Sequence, residues 1–459
     1  MNRYGIDSKM LVCRVSAHSS ENPYLRNARW IKIKQSFLSH CSQLFQKYCL
    51  KSEFVFSLGH FGIHISKLPE VVDADVIYIH WINHNFLSIK EIHRLLRLGK
   101  PVVIFMHDMW AITGGCHHSF DCKKYESECK KCPDIHRDLF RNIVSSTFKK
   151  KKRLLSPYKN LYVIASSQWM SDCVKRSALF GTHFLKTIPL TIDLDVFKPY
   201  DKTEACKILE LSPAKRYILF AANGGDANPH KGWSYFKKAL SLLNKHGVEA
   251  LVLGSTVKEE DKAGLPIRSM GYFRDEHSLA LLYSAADVLV VPSLAESFGQ
   301  VIVEAFACGT LAVGFNVGGI PDLIKHLQTG YLADYKDSAS LSSGIEWALV
   351  HGNDADLKNN LQEFVRQNIS YNAIARQHVE TLKDAYPIYQ NKPLKKRRKF
   401  LIEYFSFSLK IRRLRLRSFF SLIQINSLLR RYLLVDDIPP IASNTATVIS
   451  LYRYWLLVK

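Results

Sequence analysis

The fold is decided by residues 288–315, which read VLVVPSLAESFGQVIVEAFACGTLAVGF. The stretch opens on the apolar run Val288–Val291 and closes on the apolar run Leu311–Phe315, and both have the length and composition of buried strands. Between them lie a polar loop and a segment that predicts a helix beginning near Ser297 or Phe298. Two strands joined by a helix are the repeating unit of a parallel sheet.

The same alternation of apolar runs and amphipathic segments extends over most of the chain. Helical stretches separate the apolar runs, which is typical of parallel sheets covered by helices on both faces. We therefore expect two doubly wound α/β domains that face a cleft, with ligands beyond the carboxyl ends of the strands. Further buried strands are predicted at residues 10–15, 76–80, 102–107, 161–166, 217–222 and 250–253.

This pattern divides the chain into four parts. Residues 1–198 form a first Rossmann-like domain and residues 199–372 a second one. Residues 373–390 predict a helix that returns to the first domain, and residues 391–459 predict a basic amphipathic tail.

Composition excludes several classes of protein. The chain has 459 residues, of which 47% are hydrophobic and 23% charged, so it is not a globally disordered protein. No apolar run reaches the ~18 residues that a membrane-spanning helix needs. The first residues lack the pattern of a secretory signal, so we expect a cytoplasmic location.

The net charge of +22 is concentrated near the end of the chain. Residues 391–431 hold thirteen lysines and arginines and a single acidic residue, Glu403. Apolar residues recur at helical spacing over residues 400–434, which predicts a basic amphipathic helix or pair of helices. We expect this tail to bind an anionic membrane surface, peripherally at the inner face of the cytoplasmic membrane. The alternative is a helical appendage that covers apolar surface on the body, and no motif indicates nucleic-acid binding.

The predicted helix after Val291 carries the first candidate binding residues. The N–H groups and positive dipole at its N-terminus suit an anion such as a diphosphate. Glu296 lies in the loop and Glu304 about two turns into the helix, so their separation is on the order of 10 Å. Two carboxylates at that separation can accept hydroxyl hydrogens from the two ends of one elongated ligand.

These residues resemble the signature of the family-four retaining glycosyltransferases, which have the GT-B fold. The resemblance rests on the two glutamates eight residues apart and covers about residues 5–389. Further matching segments occur in the same order as in the family, namely IPLTID at 188–193, YSAAD at 283–287, GGIP at 318–321 and GYL at 330–332.

The resemblance implies a role for each matching residue. Glu304 would bind the ribose hydroxyls of a nucleotide-sugar, and Glu296 would face the sugar or the departing phosphate. Lys231 would neutralise the diphosphate, next to a glycine loop that contains Gly224 and Gly225. Donor-binding groups are also implied in the loop at Ser297, Phe298, Gly299 and Gln300.

In the first domain, His107 matches a histidine that the family places near the donor sugar, which makes it a candidate catalytic residue with Glu296 and Lys231. Residues 113–118, TGGCHH, resemble a subgroup that acts in capsule, colanic-acid-like and lipopolysaccharide assembly.

The chain also departs from the family pattern. Asn223 stands where an arginine is common, and Leu311 follows Thr310 in place of a proline. The first strand, glycine-rich loop and helix of the family are missing before Tyr4. This difference indicates either a misassigned start or a truncated relative.

Four cysteines lie close together in the sequence of the first domain. The pair CKKC at 129–132 has the spacing of a zinc knuckle, and Cys116 and Cys122 precede it with a less usual gap. Four thiolates could close a structural zinc site. The alternative is that Cys116, Cys122, Cys129 and Cys132 are free thiols or form disulfides.

The sequence therefore predicts a retaining glycosyltransferase that uses a nucleotide-sugar donor and a glycan or lipid-linked acceptor. No cofactor is expected in catalysis. The alternatives are a sugar-nucleotide epimerase of the same fold and an inactive binding or scaffold protein.

Overall fold

The computed structural model describes residues 6–12, 25–27, 50, 55–83, 85–135, 138–221, 228–243, 246–255, 264–273, 275–385 and 447–452. The chain divides into two compact units. One unit contains residues 1–382 together with 446–459, and the other contains residues 383–445. Both predicted Rossmann-like domains lie within the first unit. The predicted amphipathic helices at 400–434 lie outside the described residues.

The first domain contains a seven-stranded parallel sheet in the order β2-β1-β13-β3-β4-β5-β6. Strands β3, β4 and β5 are buried along their whole length, as parallel strands between two layers of helices are. The strands are β1 (Asp7–Val12), β2 (Leu25–Asn27), β3 (Val76–Ile79), β4 (Val102–Met106), β5 (Leu161–Ala165), β6 (Phe184–Thr187) and β13 (Thr447–Tyr452).

The helices of the first domain begin at residues that the sequence favours. Ser88 caps the N-terminus of one helix and Ser167 caps another, because each hydroxyl accepts a hydrogen bond from a backbone N–H of the first turn. The helices are α1 (Pro69–Asp73), α2 (Ile89–Leu96), α3 (Asp138–Leu155) and α4 (Gln168–Arg176).

Strand β13 differs from the sequence-based assignment of this segment to a helical tail. It lies between β1 and β3, where Thr447 pairs with Asp7 and Val448 with Val76. The segment reads TVISLY, and its β-branched residues favour a strand. The assignment to a tail rested on the basic residues at 391–431, which lie outside this strand and so could not indicate its conformation.

The second domain contains a six-stranded parallel sheet in the order β12-β11-β10-β7-β8-β9. Its strands are β7 (Arg216–Ala221), β8 (Val248–Leu253), β9 (Ile267–Gly271), β10 (Val288–Val291), β11 (Leu311–Phe315) and β12 (Gly330–Ala333). Its helices are α5 (Lys202–Ile208), α6 (Trp233–Leu242), α7 (Glu276–Ala285), α8 (Gln300–Ala307), α9 (Ile320–Leu323), α10 (Ser338–His351) and α11 (Ala355–Asn368).

Each sheet has its own apolar core. In the second domain the core includes β10, β11 and the inner face of α8, with Ile302 and Phe306 fully buried. In the first domain it includes β3, β4, β5 and the inner face of α2. Two parallel α/β domains of Rossmann type, as the sequence predicted, are therefore confirmed.

Helix α12 (Tyr371–Ala385) follows the second domain in the chain and contacts the first domain. The Tyr78 hydroxyl lies 3.2 Å from His378 Nδ1, and Lys186 Nζ lies 3.9 Å from a carboxylate oxygen of Glu380. The helix thus connects the end of the chain's second domain to β3 and β6. Among the described residues, no helix combines the length and hydrophobicity that crossing a bilayer requires.

Candidate functional site

The loop after β10 packs against the short 3₁₀ turn Pro229–Lys231. Leu294 N–H donates to the carbonyl of His230 at 2.7 Å. Gly232 has φ +75°, and a Cβ there would lie 1.9 Å from the Pro292 carbonyl oxygen, so only glycine permits this close approach. The two segments are held together by backbone contacts, which fixes the positions of the side chains that they carry.

Lys231 and Glu296 form an ion pair at this junction. Lys231 Nζ donates to Glu296 Oε2 at 2.9 Å, and Ser293 Oγ lies 3.4 Å from the same oxygen. The Lys231 side chain is 26% exposed and the Glu296 side chain is 17% exposed, so a ligand can reach the pair. Burial raises the pKa of Glu296, but Lys231 and the neighbouring histidines outweigh it, and the net pKa is lowered. Glu296 is therefore ionised at neutral pH.

Two glycines hold the other side of the loop. Gly318 has φ +60°, and a Cβ there would lie 2.0 Å from the Glu296 carbonyl oxygen. Gly319 N–H donates to that same carbonyl at 2.9 Å. Glycines have no side chain, so they permit a close approach by another group. In the structure, the group that approaches them is the backbone of the loop that carries Glu296.

Glu304 lies on α8 and is half-buried. The hydroxyl of Tyr283, on α7, donates to Glu304 Oε2 at 2.7 Å. Tyr283 is fully buried, and burial followed by the Glu304 charge raises its pKa well above the ordinary value, so the hydroxyl keeps its proton. Tyr283 therefore orients the carboxylate. The sequence placed Tyr283 in a matching motif but gave it no role.

The backbone between the two glutamates turns sharply into the helix. Gly299 has φ +102°, and α8 begins at Gln300, later than the predicted start near Ser297 or Phe298. The Phe298 side chain is buried in the core. Ser297 Oγ is also buried and has no hydrogen-bond partner among the described residues. Gly224 and Gly225 lie outside the described residues.

In the first domain, His107 follows β4 at the carboxyl edge of the sheet. Its Nε2 lies 3.1 Å from Nδ1 of His80, so one ring donates a hydrogen bond to the other. Burial lowers the pKa of His107 to about 4, which makes the imidazole neutral at pH 7. Both histidines line a small cavity with Trp81, Asn83 and Asp108.

Asp108 anchors the turn that follows His107. Its carboxylate accepts hydrogen bonds from Trp81 Nε1 at 2.9 Å, from the Trp110 N–H at 2.8 Å and from His117 Nδ1 at 2.6 Å. Burial raises the pKa of Asp108, but the charge and hydrogen bond of His117 outweigh it and lower the pKa to about 2. Asp108 therefore shapes the cavity wall.

The two domains touch beside Glu296 through four residues, Ser167, Gln168, Ser297 and Asp322, which we call the interdomain latch. Ser167 Oγ donates to the Ser297 carbonyl at 2.6 Å, and Gln168 N–H donates to Asp322 Oδ2 at 2.6 Å. Both donors lie at the N-terminus of α4, where a carboxylate is favoured. No local sequence pattern predicts these contacts, because they join residues 130 and 154 positions apart.

The latch should contribute to thermal stability. Ser167→Ala removes the cap of α4, at a cost of about 1 kcal/mol, and also removes the bond to Ser297, at about 1 kcal/mol more. Ser88→Ala is the matched control because it removes a cap in the same domain without an interdomain bond. We expect calorimetry to show that the melting temperature falls about twice as far in Ser167→Ala as in Ser88→Ala. Equal shifts in the two variants would contradict the latch.

The four cysteines of the predicted zinc site lie within residues 116–132 of the first domain. Within the described residues, no three histidine, cysteine, aspartate or glutamate side chains are placed so that they could hold a metal ion. Cys116, Cys122, Cys129 and Cys132 form no disulfide in the described part of the chain. Burial raises the pKa of Cys129 to about 11 when no metal is bound. Zinc binding by these cysteines stays a prediction, and free thiols stay the alternative.

Comparison with known proteins agrees with this architecture. Residues 201–368 match the family model described as Glycosyl transferases group 1. The D-inositol 3-phosphate glycosyltransferase of Segniliparus rotundus is 32% identical over 163 residues, which cover 33% of this chain and 36% of that protein. An uncharacterized glycosyltransferase of Methanocaldococcus jannaschii is 26% identical over 314 residues, or 63% of this chain and 77% of that protein.

The match to the D-inositol 3-phosphate glycosyltransferase thus spans only about a third of its length. Among solved structures, the sucrose-phosphate synthase of Thermosynechococcus elongatus superimposes with a TM-score of 0.54 at 20% identity. That superposition covers 82% of this chain and 86% of the other. The chain therefore has the GT-B fold, and its second domain is similar to the glycosyl transferases of group 1.

Proposed function

We propose that this protein is a retaining glycosyltransferase that moves a sugar from a nucleoside diphosphate to a glycan or lipid-linked acceptor in surface polysaccharide assembly. The observation that carries the proposal is the Lys231–Glu296 ion pair beside the N-terminus of α8, with Glu304 oriented on the same helix. In this arrangement Lys231 would contact the diphosphate of a nucleotide-sugar, Glu296 its sugar and Glu304 its ribose.

The diphosphate gains negative charge as the glycosidic bond breaks. Lys231 and the N–H groups at the start of α8 supply positive charge at that place, and they stabilise the leaving group most when its charge is greatest. Glu296 accepts hydrogen bonds from sugar hydroxyls, while Glu304 accepts them from the ribose. In this proposal the leaving group needs no further cation.

The acceptor enters from the first domain. The carboxyl ends of β3 and β4 carry neutral histidines and the indole of Trp81, which are side chains that can contact a sugar ring and its hydroxyls. His107 is neutral and can hydrogen-bond a hydroxyl of either substrate. Attack from the face that the nucleotide leaves would retain the anomeric configuration, as the family resemblance implies.

A donor panel tests the proposal. The purified protein is titrated with UDP-, GDP- and dTDP-linked hexoses, and those that bind are incubated with lipid-linked and free glycan acceptors. We expect binding of one nucleotide class and transfer with retention, read by NMR of the product anomeric proton. Interconversion of the donor without transfer would indicate an epimerase, and binding without either reaction would indicate a binding protein.

The proposed place of action is an anionic membrane surface that the basic tail binds. Replacing four tail arginines with glutamine should weaken binding to phosphatidylglycerol vesicles, because each basic residue near the surface contributes about 1 kcal/mol. Substitution is preferred to truncation, since Thr447 and Val448 pair with β1 and β3. The arginines are Arg412, Arg413, Arg415 and Arg417.

The control is a variant with four exposed lysines of the body replaced by glutamine, which changes the net charge equally. We expect the vesicle affinity, measured by sedimentation, to fall on the order of a thousandfold for the tail variant and little for the control. Similar losses in both would show that net charge, and not the tail, determines binding. The control lysines are Lys207, Lys238, Lys325 and Lys336.

A further inference from the structure

One histidine of the first domain reaches the ion pair of the second. The His118 ring lies 5.8 Å from the His230 ring, centroid to centroid, and His230 immediately precedes Lys231. His118 is also close enough to Glu296 and Lys231 for both charges to act on it, the first raising and the second lowering its pKa. His118 of the first domain therefore lies against the turn that carries Lys231, close to the Lys231–Glu296 pair.

The Nδ1 atom of His118 is buried and has no hydrogen-bond partner among the described residues. Ser297 Oγ, in the residue that follows Glu296, is a second buried polar atom in the same condition within the described part of the chain. Buried polar atoms in native proteins are normally paired, because leaving one unpaired is costly. One such atom on each domain, near an accessible ion pair, indicates a polar ligand that contacts both domains.

The chemistry of these groups favours a hydroxyl over a phosphate oxygen as the partner of Nδ1. Burial lowers the pKa of His118, so the ring is neutral at pH 7 and does not attract an anion. The carboxylate of Glu296 is nearby and only accepts hydrogen bonds. A hydroxyl can donate to Glu296 and can pair with either tautomer of the imidazole. An ionised phosphate oxygen only accepts, so it cannot donate to Glu296 and pairs with Nδ1 only when Nδ1 carries the proton.

We propose that His118 contacts a hydroxyl of the donor sugar, so that the first domain holds the sugar opposite Glu296 while the second domain holds the nucleotide. This inference rests on the proposed function and assigns a sugar-contacting role to a residue for which the sequence indicated none. It predicts that His118 distinguishes a nucleotide-sugar from the bare nucleotide.

The test compares two ligands by calorimetry without acceptor. The probes are the nucleoside diphosphate and the nucleotide-hexose that the parent protein binds best in a panel of uridine, guanosine and thymidine compounds. His118→Ala should weaken nucleotide-sugar binding about fivefold to tenfold and change nucleoside diphosphate binding less than about twofold. His118→Asn keeps a hydrogen-bonding group near the position of Nδ1 and should recover most of the loss.

His277→Ala is the matched control, since it removes an exposed imidazole from the second domain. Melting temperatures of all variants should match that of the parent. Equal weakening of both ligands, no weakening of either, or failure of His118→Asn to recover binding would overturn the role of His118 while leaving the proposed function in place. A parent that binds no member of the panel would overturn both.

Discussion

Lys231→Ala should lower turnover by at least about a hundredfold, which is the effect of removing one group that stabilises a developing anion. Binding of the ground-state donor should change much less, because the charge on the diphosphate is greatest while the glycosidic bond breaks. The measurement is the rate of transfer at saturating donor, together with the dissociation constant of the donor from calorimetry.

The same substitution has a consequence for pH dependence. Lys231 is the largest influence that lowers the pKa of Glu296, and burial opposes it. Without Lys231 its lowering effect is lost, so the pKa of Glu296 rises. Activity that requires the ionised carboxylate would therefore be lost at a higher pH in Lys231→Ala than in the parent as the pH falls.

Two control variants show whether a fall in turnover comes from the missing Lys231 charge or from a damaged fold. Lys238→Ala removes an exposed lysine from α6 and should leave turnover unchanged. The double variant Lys231→Ala with Glu296→Gln removes both charges, so that no unpaired carboxylate stays behind, and it should be as inactive as the single variant. Turnover near that of the parent in a folded Lys231→Ala protein would show that this lysine does not stabilise the leaving group.

Glu304→Ala is expected to weaken binding of the nucleoside diphosphate tenfold or more, because hydrogen bonds to a charged acceptor contribute about 1.5–3 kcal/mol each. Tyr283→Phe should weaken binding in the same direction but less, since the carboxylate remains and only its orienting hydroxyl is lost. Glu296→Gln should leave the affinity for free nucleotide nearly unchanged and lower turnover.

An exposed carboxylate provides the control. Glu276 lies in the first turn of α7, and Glu276→Gln should not change nucleotide affinity. Because Tyr283 is buried, its variant must first melt near the temperature of the parent. If Glu304→Ala and Glu276→Gln bind nucleotide equally well, the ribose contact assigned to Glu304 is wrong.

The sequence was most informative where local patterns alone determine structure. Apolar runs such as Val288–Val291 and Leu311–Phe315 predicted the buried parallel strands, because a strand covered on both faces is apolar along its length. The polar segment between these runs predicted a loop followed by a helix. The family resemblance implied that Lys231 and Glu296 serve one ligand, and the structure places the two side chains in an ion pair.

Contacts between distant segments could not be read from local patterns. The hydrogen bond from Tyr283 to Glu304 depends on the packing of α7 against α8, and the position of His118 depends on how the domains meet. The strand at Thr447–Tyr452 enters a sheet whose other strands lie more than 250 residues earlier in the chain, a pairing that no local signal specifies.

The interdomain latch joins the Ser297 carbonyl to α4 of the first domain, one residue away from Glu296. A ligand that fixes the loop around Glu296 therefore also favours the arrangement of the two domains that the latch stabilises. By thermodynamic reciprocity, a donor that increases acceptor affinity through this arrangement must have its own affinity increased by the acceptor to the same extent. In the proposed glycosyltransferase, two hydrogen bonds would limit that cooperativity to on the order of tenfold, so each substrate would modestly increase the affinity for the other.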